Sequence, residues 1–241
     1  MQDVGAGWLM TTLAPDPFMV SLVQVSVVLP GFFLTLPAGV LADIVDRRLF
    51  ILTALVWMAL MASVVTLLTF TGTITPWSLI ALTLALGMGS SMMMPAFTSM
   101  IPDLVPQRDL VGAVTLNSIS QNITRAVGPA IAGGLIALAG PAPVFMLNAL
   151  SFVGIFVVLW RYRSQQPRST LPSERFFGAL RVGLGFLRQS PALQAVLVRA
   201  LAFFFMMSGL FAFVPLIVRA EVQAGPQAYG LLVTCMGAGA V

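Results

Sequence analysis

The stretch FILTALVWMALMASVVTLLTF, residues 50–70, carries no charged side chain from end to end. A helix rises 1.5 Å per residue, so a stretch of this length reaches about 30 Å, the thickness of a bilayer's hydrocarbon core. Inside lipid every backbone N–H and C=O must find a partner within the protein, which leaves helices or a closed barrel. A barrel strand would alternate apolar and polar residues over roughly ten positions. This stretch does not alternate, so it reads as a membrane-spanning α-helix. Polar turns at 43–49 and 71–76 bound it, and beyond them the pattern repeats at 18–42 and 77–98. Further apolar stretches follow at 112–139, 144–160 and 192–218. Two shorter ones, 1–13 and 229–241, read as spans cut short. The expected fold is therefore an all-α membrane protein, a bundle of spanning helices.

Composition agrees with the lipid reading. Of 241 residues, 59% are hydrophobic and only 8% charged. Soluble domains are roughly 25% charged, so this chain could not clothe a water-facing surface. Histidine is absent and Cys235 is the one cysteine. That removes an internal disulfide and makes ordinary zinc or haem sites poor readings. No phosphate-binding glycine loop is present, so neither cofactor nor metal is expected. A membrane enzyme would need a polar catalytic cluster. With no histidine and no paired acids, that class is set aside.

All twelve basic residues are arginines, and nine of them fall in alternate connections: Arg47, Arg48, Arg108, Arg161, Arg163, Arg168, Arg175, Arg181 and Arg188. Arg125 and Arg199 lie within spans, and Arg219 lies on the opposite side. The positive-inside rule makes the Arg-rich side cytoplasmic in a cell inner (plasma) membrane. It also accounts for the basic balance without nucleic acid. Trp8, Trp57, Trp77 and Trp160 read as interfacial anchors near span ends.

One connection is long. Residues 164–173 are polar with two prolines, a linker. Over 174–189, Phe177, Leu180, Leu184 and Leu187 recur at helical spacing between arginines, the pattern of an interfacial amphipathic helix. Three segments follow: 1–162 as a first transmembrane half whose first span is incomplete, 163–191 as a cytoplasmic connector, and 192–241 as the start of a second half. Repeated bundles of this kind build many transporters.

The turn GVLADIVDRR, residues 39–48, joins the second and third spans. Gly39 would allow close helix contact. Asp43 at a helix end could pair with Arg47 or face a helix N-terminus. Asp46, Arg47 and Arg48 complete a polar turn that could act as a latch, or serve only as a positive-inside turn. In the fifth span, TLNSISQNITRAVGPAIAGG (115–134), Ser118, Gln121, Asn122 and Arg125 recur at three- or four-residue steps. An arginine at a helix centre costs roughly 2.5–3.5 kcal/mol on insertion scales. Arg125 should therefore face a cavity, where it could bind an anionic substrate or tune a proton site. The other reading is an arginine that pairs to hold neighbouring helices. Asp3 is the one acid expected within the bilayer, and it reads either as a proton relay or as an interfacial acid. Met92, Met93 and Met94 of the fourth span read as packing.

These motifs resemble the major facilitator superfamily (MFS). Gly39, Asp43, Arg47 and Arg48 fall on its signature loop, with Asp46 where the pattern usually has glycine and Ile44 where a basic residue is common. The Asp-Arg-Arg ending resembles a bacterial exporter subgroup that includes siderophore exporters and transmembrane secretion effectors. Gly128-Pro129 and Gly133-Gly134 resemble the helix-packing motif in the fifth span of facilitator-type antiporters, with three intervening residues instead of two. The resemblance implies a twelve-helix fold of two halves, a mid-membrane substrate cavity, and a monomer in the bilayer. It also implies secondary active efflux of a small molecule, by proton-coupled antiport through alternating access. The chain is then expected to be a fragment, one near-complete half plus the start of the other. The alternative is a non-transporting membrane subunit or an inactive remnant.

Overall fold

The computed structural model describes residues 1–162, 185–186 and 188–238, with backbone alone at 36, 40, 42–44 and 103. The elements are α1 (Gln2–Leu13), α2 (Pro17–Ile44), α3 (Arg47–Phe70), α4 (Pro76–Leu104), α5 (Leu110–Ala139), α6 (Ala142–Arg161), α7 (Pro191–Ala220) and α8 (Pro226–Ala238), with a 3₁₀ turn at Gln107–Asp109. Helices α2 to α7 are each long and apolar enough to cross a membrane. The chain is thus an all-α, multi-pass membrane bundle. The amphipathic helix expected over 174–189 falls outside the described residues, except at 185–186 and 188–189.

The ends of these helices follow from local chemistry. Pro17, Pro76, Pro191 and Pro226 open their helices, where a missing N–H costs nothing. Thr75 and Ser78 form a reciprocal capping box at the start of α4, satisfying two donors the helix cannot. At the far end of α5, Gly140 takes φ +79°, a conformation that a side chain would oppose.

Helix α3 shows how the bundle is solvated. Ile51, Leu55, Met58, Ala62 and Val65, one every three or four residues, are fully buried. The opposite face carries Val56, Leu60, Val64 and Leu67, all exposed. A soluble helix would be polar there; an apolar outer face is what lipid requires. The buried stripe packs against α4 and α6, while α2 packs along α4. Helix α1 sits at the centre, touching α2, α4, α5, α6 and α7.

Glycines allow the closest approach. A Cβ on Gly87 would stand 3.1 Å from the Ser26 carbonyl of α2. That carbonyl has no helical donor four residues on, because Pro30 occupies the place. A Cβ on Gly89 would meet Met58 Cγ of α3 at 2.5 Å. One short segment of α4 thus receives α2 on one side and α3 on the other. Trp57 departs from the interfacial reading. It lies mid-way along α3, and its indole N–H donates to the Ala85 carbonyl of α4 at 2.7 Å.

Candidate functional site

A cavity of about 210 Å³ lies among α1, α2, α3, α4 and α6. Its walls are largely apolar, but Gln2, Asp3, Thr83, Ser90, Ser91 and Asn148 bring polar groups to it. The Asn148 amide donates to Gln2 Oε1 at 3.2 Å, tying α6 to α1. Two polar atoms here have no partner: Gln2 Nε2 and Thr83 Oγ1. Thr83 is only 2% exposed. An unsatisfied buried group costs about 1–3 kcal/mol, and a chamber of this size and polarity has room for water that would relieve it. Asp3, in the first turn of α1, places its carboxylate beside these groups.

The polar stripe of α5 does not reach this chamber. Ser118 donates to its own helix, at the Val114 carbonyl, 3.1 Å away. Gln121 and Asn122 are half-buried and Arg125 is exposed. Among the described residues none of these three makes a side-chain hydrogen bond or ion pair. The helix-holding reading of Arg125 therefore finds no partner here. Among the described residues, the chamber bordered by Asp3, itself an exposed residue, is separate from the open polar stripe along α5.

The turn between α2 and α3 works through backbone carbonyls. Asp46 Oδ1 accepts from the Arg48 and Leu49 backbone N–H groups, at 2.9 and 3.1 Å, and so caps α3. Arg48 crosses to the end of α6, donating from Nε to the Leu159 carbonyl at 3.0 Å and from Nη2 to the Trp160 carbonyl at 2.6 Å. Those carbonyls belong to the last turn of α6, which has no helical donors left and carries partial negative charge. Arg47 donates to the Ser99 carbonyl of α4 at 3.2 Å. The Asp43 side chain lies outside the described residues. Among the described residues, a Cβ on Gly39 would meet nothing within 4 Å, so the close helix contact expected there is not made.

The glycines of α5 divide. Gly128 and Pro129 are buried. A Cβ on Gly133 would lie 2.6 Å from the Pro226 carbonyl and 3.0 Å from Gly230 Cα, both at the start of α8. A Cβ on Gly230 would in turn lie 2.5 Å from the Pro129 carbonyl, and one on Gly237 2.8 Å from the Arg125 carbonyl. The two backbones thus meet along a seam from Arg125 to Gly133. Gly134 is not part of it, since a Cβ there would meet nothing within 4 Å. The reading from sequence paired Gly133 with Gly134, but the partners of Gly133 are Pro226 and Gly230 on α8. It also passed over Gln2, Thr83 and Asn148. Asn148 could have been found as a lone amide inside the apolar run 144–160; Thr83 leaves no mark in an apolar helix.

Long apolar helices around a polar chamber, clamped by an arginine-bearing turn, fit the facilitator-type (MFS) class of membrane proteins. The chain belongs to the transmembrane secretion effector family, whose profile matches residues 1–241. It is 28% identical over 232 residues to an uncharacterized MFS-type transporter, YfiS, of Bacillus subtilis, covering 94% of this chain and 54% of that one. It is 26% identical over 159 residues to the staphyloferrin A transporter of Staphylococcus aureus, covering 65% and 40%. It is 27% identical over 181 residues to macrolide efflux protein A of Enterococcus faecalis, covering 74% and 56%. The chain spans about half the length of the curated relatives it matches.

Proposed function

We propose that this protein takes part in secondary active export of a small molecule, by alternating access driven by a proton gradient. The observation that carries the reading is the chamber around Asp3. An acid bordering a chamber that holds two unpartnered buried polar atoms, among helices that are otherwise apolar, marks a functional site by default. Asp3 is the proton-handling group in this reading, with Thr83, Gln2 and Asn148 around it. Ser118, Gln121, Asn122 and Arg125 line the substrate path, which their separation from Asp3 supports. Asp43, Asp46, Arg47 and Arg48 form the loop that ties α2 and α3 to α4 and α6. Gly128, Pro129, Gly133 and Gly134 belong to the α5 segment along which packing changes between states. Residues 1–162 act as one half, 163–191 as a cytoplasmic connector and 192–241 as the start of the second half. The protein works as a monomer in the inner membrane, with its Arg-rich loops in the cytoplasm.

The names of two relatives point to the substrates to try first, staphyloferrin A and macrolides. The finer assignment, to exporters resembling siderophore exporters, belongs to this proposal. The test is flux in proteoliposomes under an imposed proton gradient. Uptake of either compound that collapses with a protonophore, and that Asp3→Asn abolishes, is the expected result. Flux indifferent to the gradient removes proton coupling. No flux of any tested compound returns the protein to the non-transporting alternative.

A further inference from the structure

We infer that the open cleft at the Arg-rich end of α3 and α6 binds an anionic phospholipid, whose phosphodiester lies between Arg48 and Arg161. The cleft has a volume of about 520 Å³ and is lined by Arg48, Leu49, Leu52, Trp160 and Arg161. Arg48 belongs to the first turn of α3, and Arg161 is the last residue of α6. Both stand where a spanning helix leaves the hydrocarbon, at the level of the lipid headgroups.

The two arginines are held differently. Arg48 is fixed, because its Nε and Nη2 donate to the Leu159 and Trp160 carbonyls. A guanidinium has five N–H donors, and among the described residues Nη1 of Arg48 has no partner. Arg161 is exposed, and among the described residues it makes no side-chain hydrogen bond or ion pair. Charge in the cleft is one-sided. No acid lines it. Asp46, close by in sequence, turns its Oδ1 to the backbone N–H groups of Arg48 and Leu49. The end of α6 contributes about −0.5 of a charge, against a full positive charge on each arginine. An anion whose oxygens a guanidinium can grip in pairs fits that balance.

The rest of the cleft selects a lipid over a dissolved anion. Leu52 is buried at its base, while Leu49 and Trp160 are exposed. The Trp160 ring stacks on Phe156, one turn back along α6, with centroids 5.7 Å apart and planes 26° from parallel. Beyond the cleft the exposed side of α3 continues through Val56 and Leu60, and that of α6 through Val157 and Val153. Residues three, four or seven apart share a helix face, so an apolar track leads from the cationic mouth toward the membrane interior. Acyl chains can follow such a track; a dissolved phosphate gains nothing from it. A choline headgroup would bring its own cation against the two guanidiniums, so the site favours a lipid without one.

The test reads lipid contact and needs no transported compound. The full chain is placed in phosphatidylcholine bilayers containing either dibrominated phosphatidylglycerol or dibrominated phosphatidylcholine. Bromine quenches tryptophan on contact, and the Trp160 signal is the part lost in Trp160→Phe. Phosphatidylglycerol should be preferred at Trp160 by about tenfold or more, from a gain of roughly fivefold per arginine. Arg161→Gln should lower the preference about fivefold. Arg108→Gln removes one positive charge from an exposed turn at the same end and should leave the preference unchanged. Both arginines are exposed, so both variants keep the fold, which circular dichroism checks. Excess glycerol 3-phosphate should not relieve the quenching. Equal quenching by the two lipids overturns the site. So does an equal loss in Arg161→Gln and Arg108→Gln, which would mean diffuse attraction to a basic surface. Relief by glycerol 3-phosphate would assign the cleft to a dissolved anion and overturn the lipid.

Discussion

Asp46 stands where the facilitator pattern has glycine, and its carboxylate caps α3 by accepting two backbone N–H groups. A glycine there would leave those donors to water. Asp46→Ala should lower stability by about 0.5–2 kcal/mol, while Asp46→Asn, which keeps an acceptor oxygen, should lose much less. Thermal unfolding in detergent checks both. Thr83 makes the contrasting case. Its hydroxyl is buried without a partner, so Thr83→Val removes an unsatisfied group and keeps the shape. If that hydroxyl only packed, the variant would be at least as stable and work as well. If it orders water beside Asp3, the protein should stay folded yet lose proton dependence of flux. Unaltered coupling in Thr83→Val would confine the chamber's role to Asp3 itself.

Among the elements, α5 supplies the sharpest comparison, because two adjacent glycines have opposite surroundings. Gly133→Ala would drive a methyl group to within 2.6 Å of the Pro226 carbonyl. Backbone cannot yield there as a flexible side chain would, so the seam must part, at a cost of about 1–3 kcal/mol. Gly134→Ala meets open space and should stay within about 0.5 kcal/mol of the parent. It could even gain, since alanine suits a helix better than glycine. Melting curves of the two variants separate these outcomes, and equal effects would mean α8 does not seat on α5 as described. The comparison also marks what could be read from sequence. The spans were legible because lipid demands long apolar runs, and α2 to α7 fall where those runs lie. The glycine motif was legible as packing, but not which glycine packs, because that depends on the rotation of α5 relative to α8. Arg48 was legible as a positive charge on one side of the membrane. Its bonds to the Leu159 and Trp160 carbonyls, more than a hundred residues away, depend on α3 lying beside α6. Trp57 was misread for the same kind of reason: an indole N–H mid-span needs a carbonyl, and only the packing of α3 on α4 says that Ala85 provides it.

For the whole molecule, sidedness connects charge to mechanism. Arg47 and Arg48 hold the ends of α4 and α6 at one face of the bundle, and Arg219 holds α1 to α7 at the other. The two sets differ in what they grip. The first grip carbonyls within α1–α6 and so make that group rigid. The second joins α7 to α1, through Thr11, Thr12 and the Trp8 ring. The proposed cytoplasmic placement of the Arg-rich face says which end of the bundle an exported substrate meets first. It can be tested with single cysteines in the Cys235→Ser background, using a maleimide that cannot cross the membrane. Arg108→Cys, in the strongly exposed turn before α5, should be silent in intact cells and react once the membrane is opened. Thr73→Cys, in the exposed turn between α3 and α4, should react in intact cells. If the pattern inverts, the contact of Arg219 with Thr11 and Thr12 faces the cytoplasm. The Arg-poor end would then be the one that substrate meets first, and the proposed sidedness would be overturned.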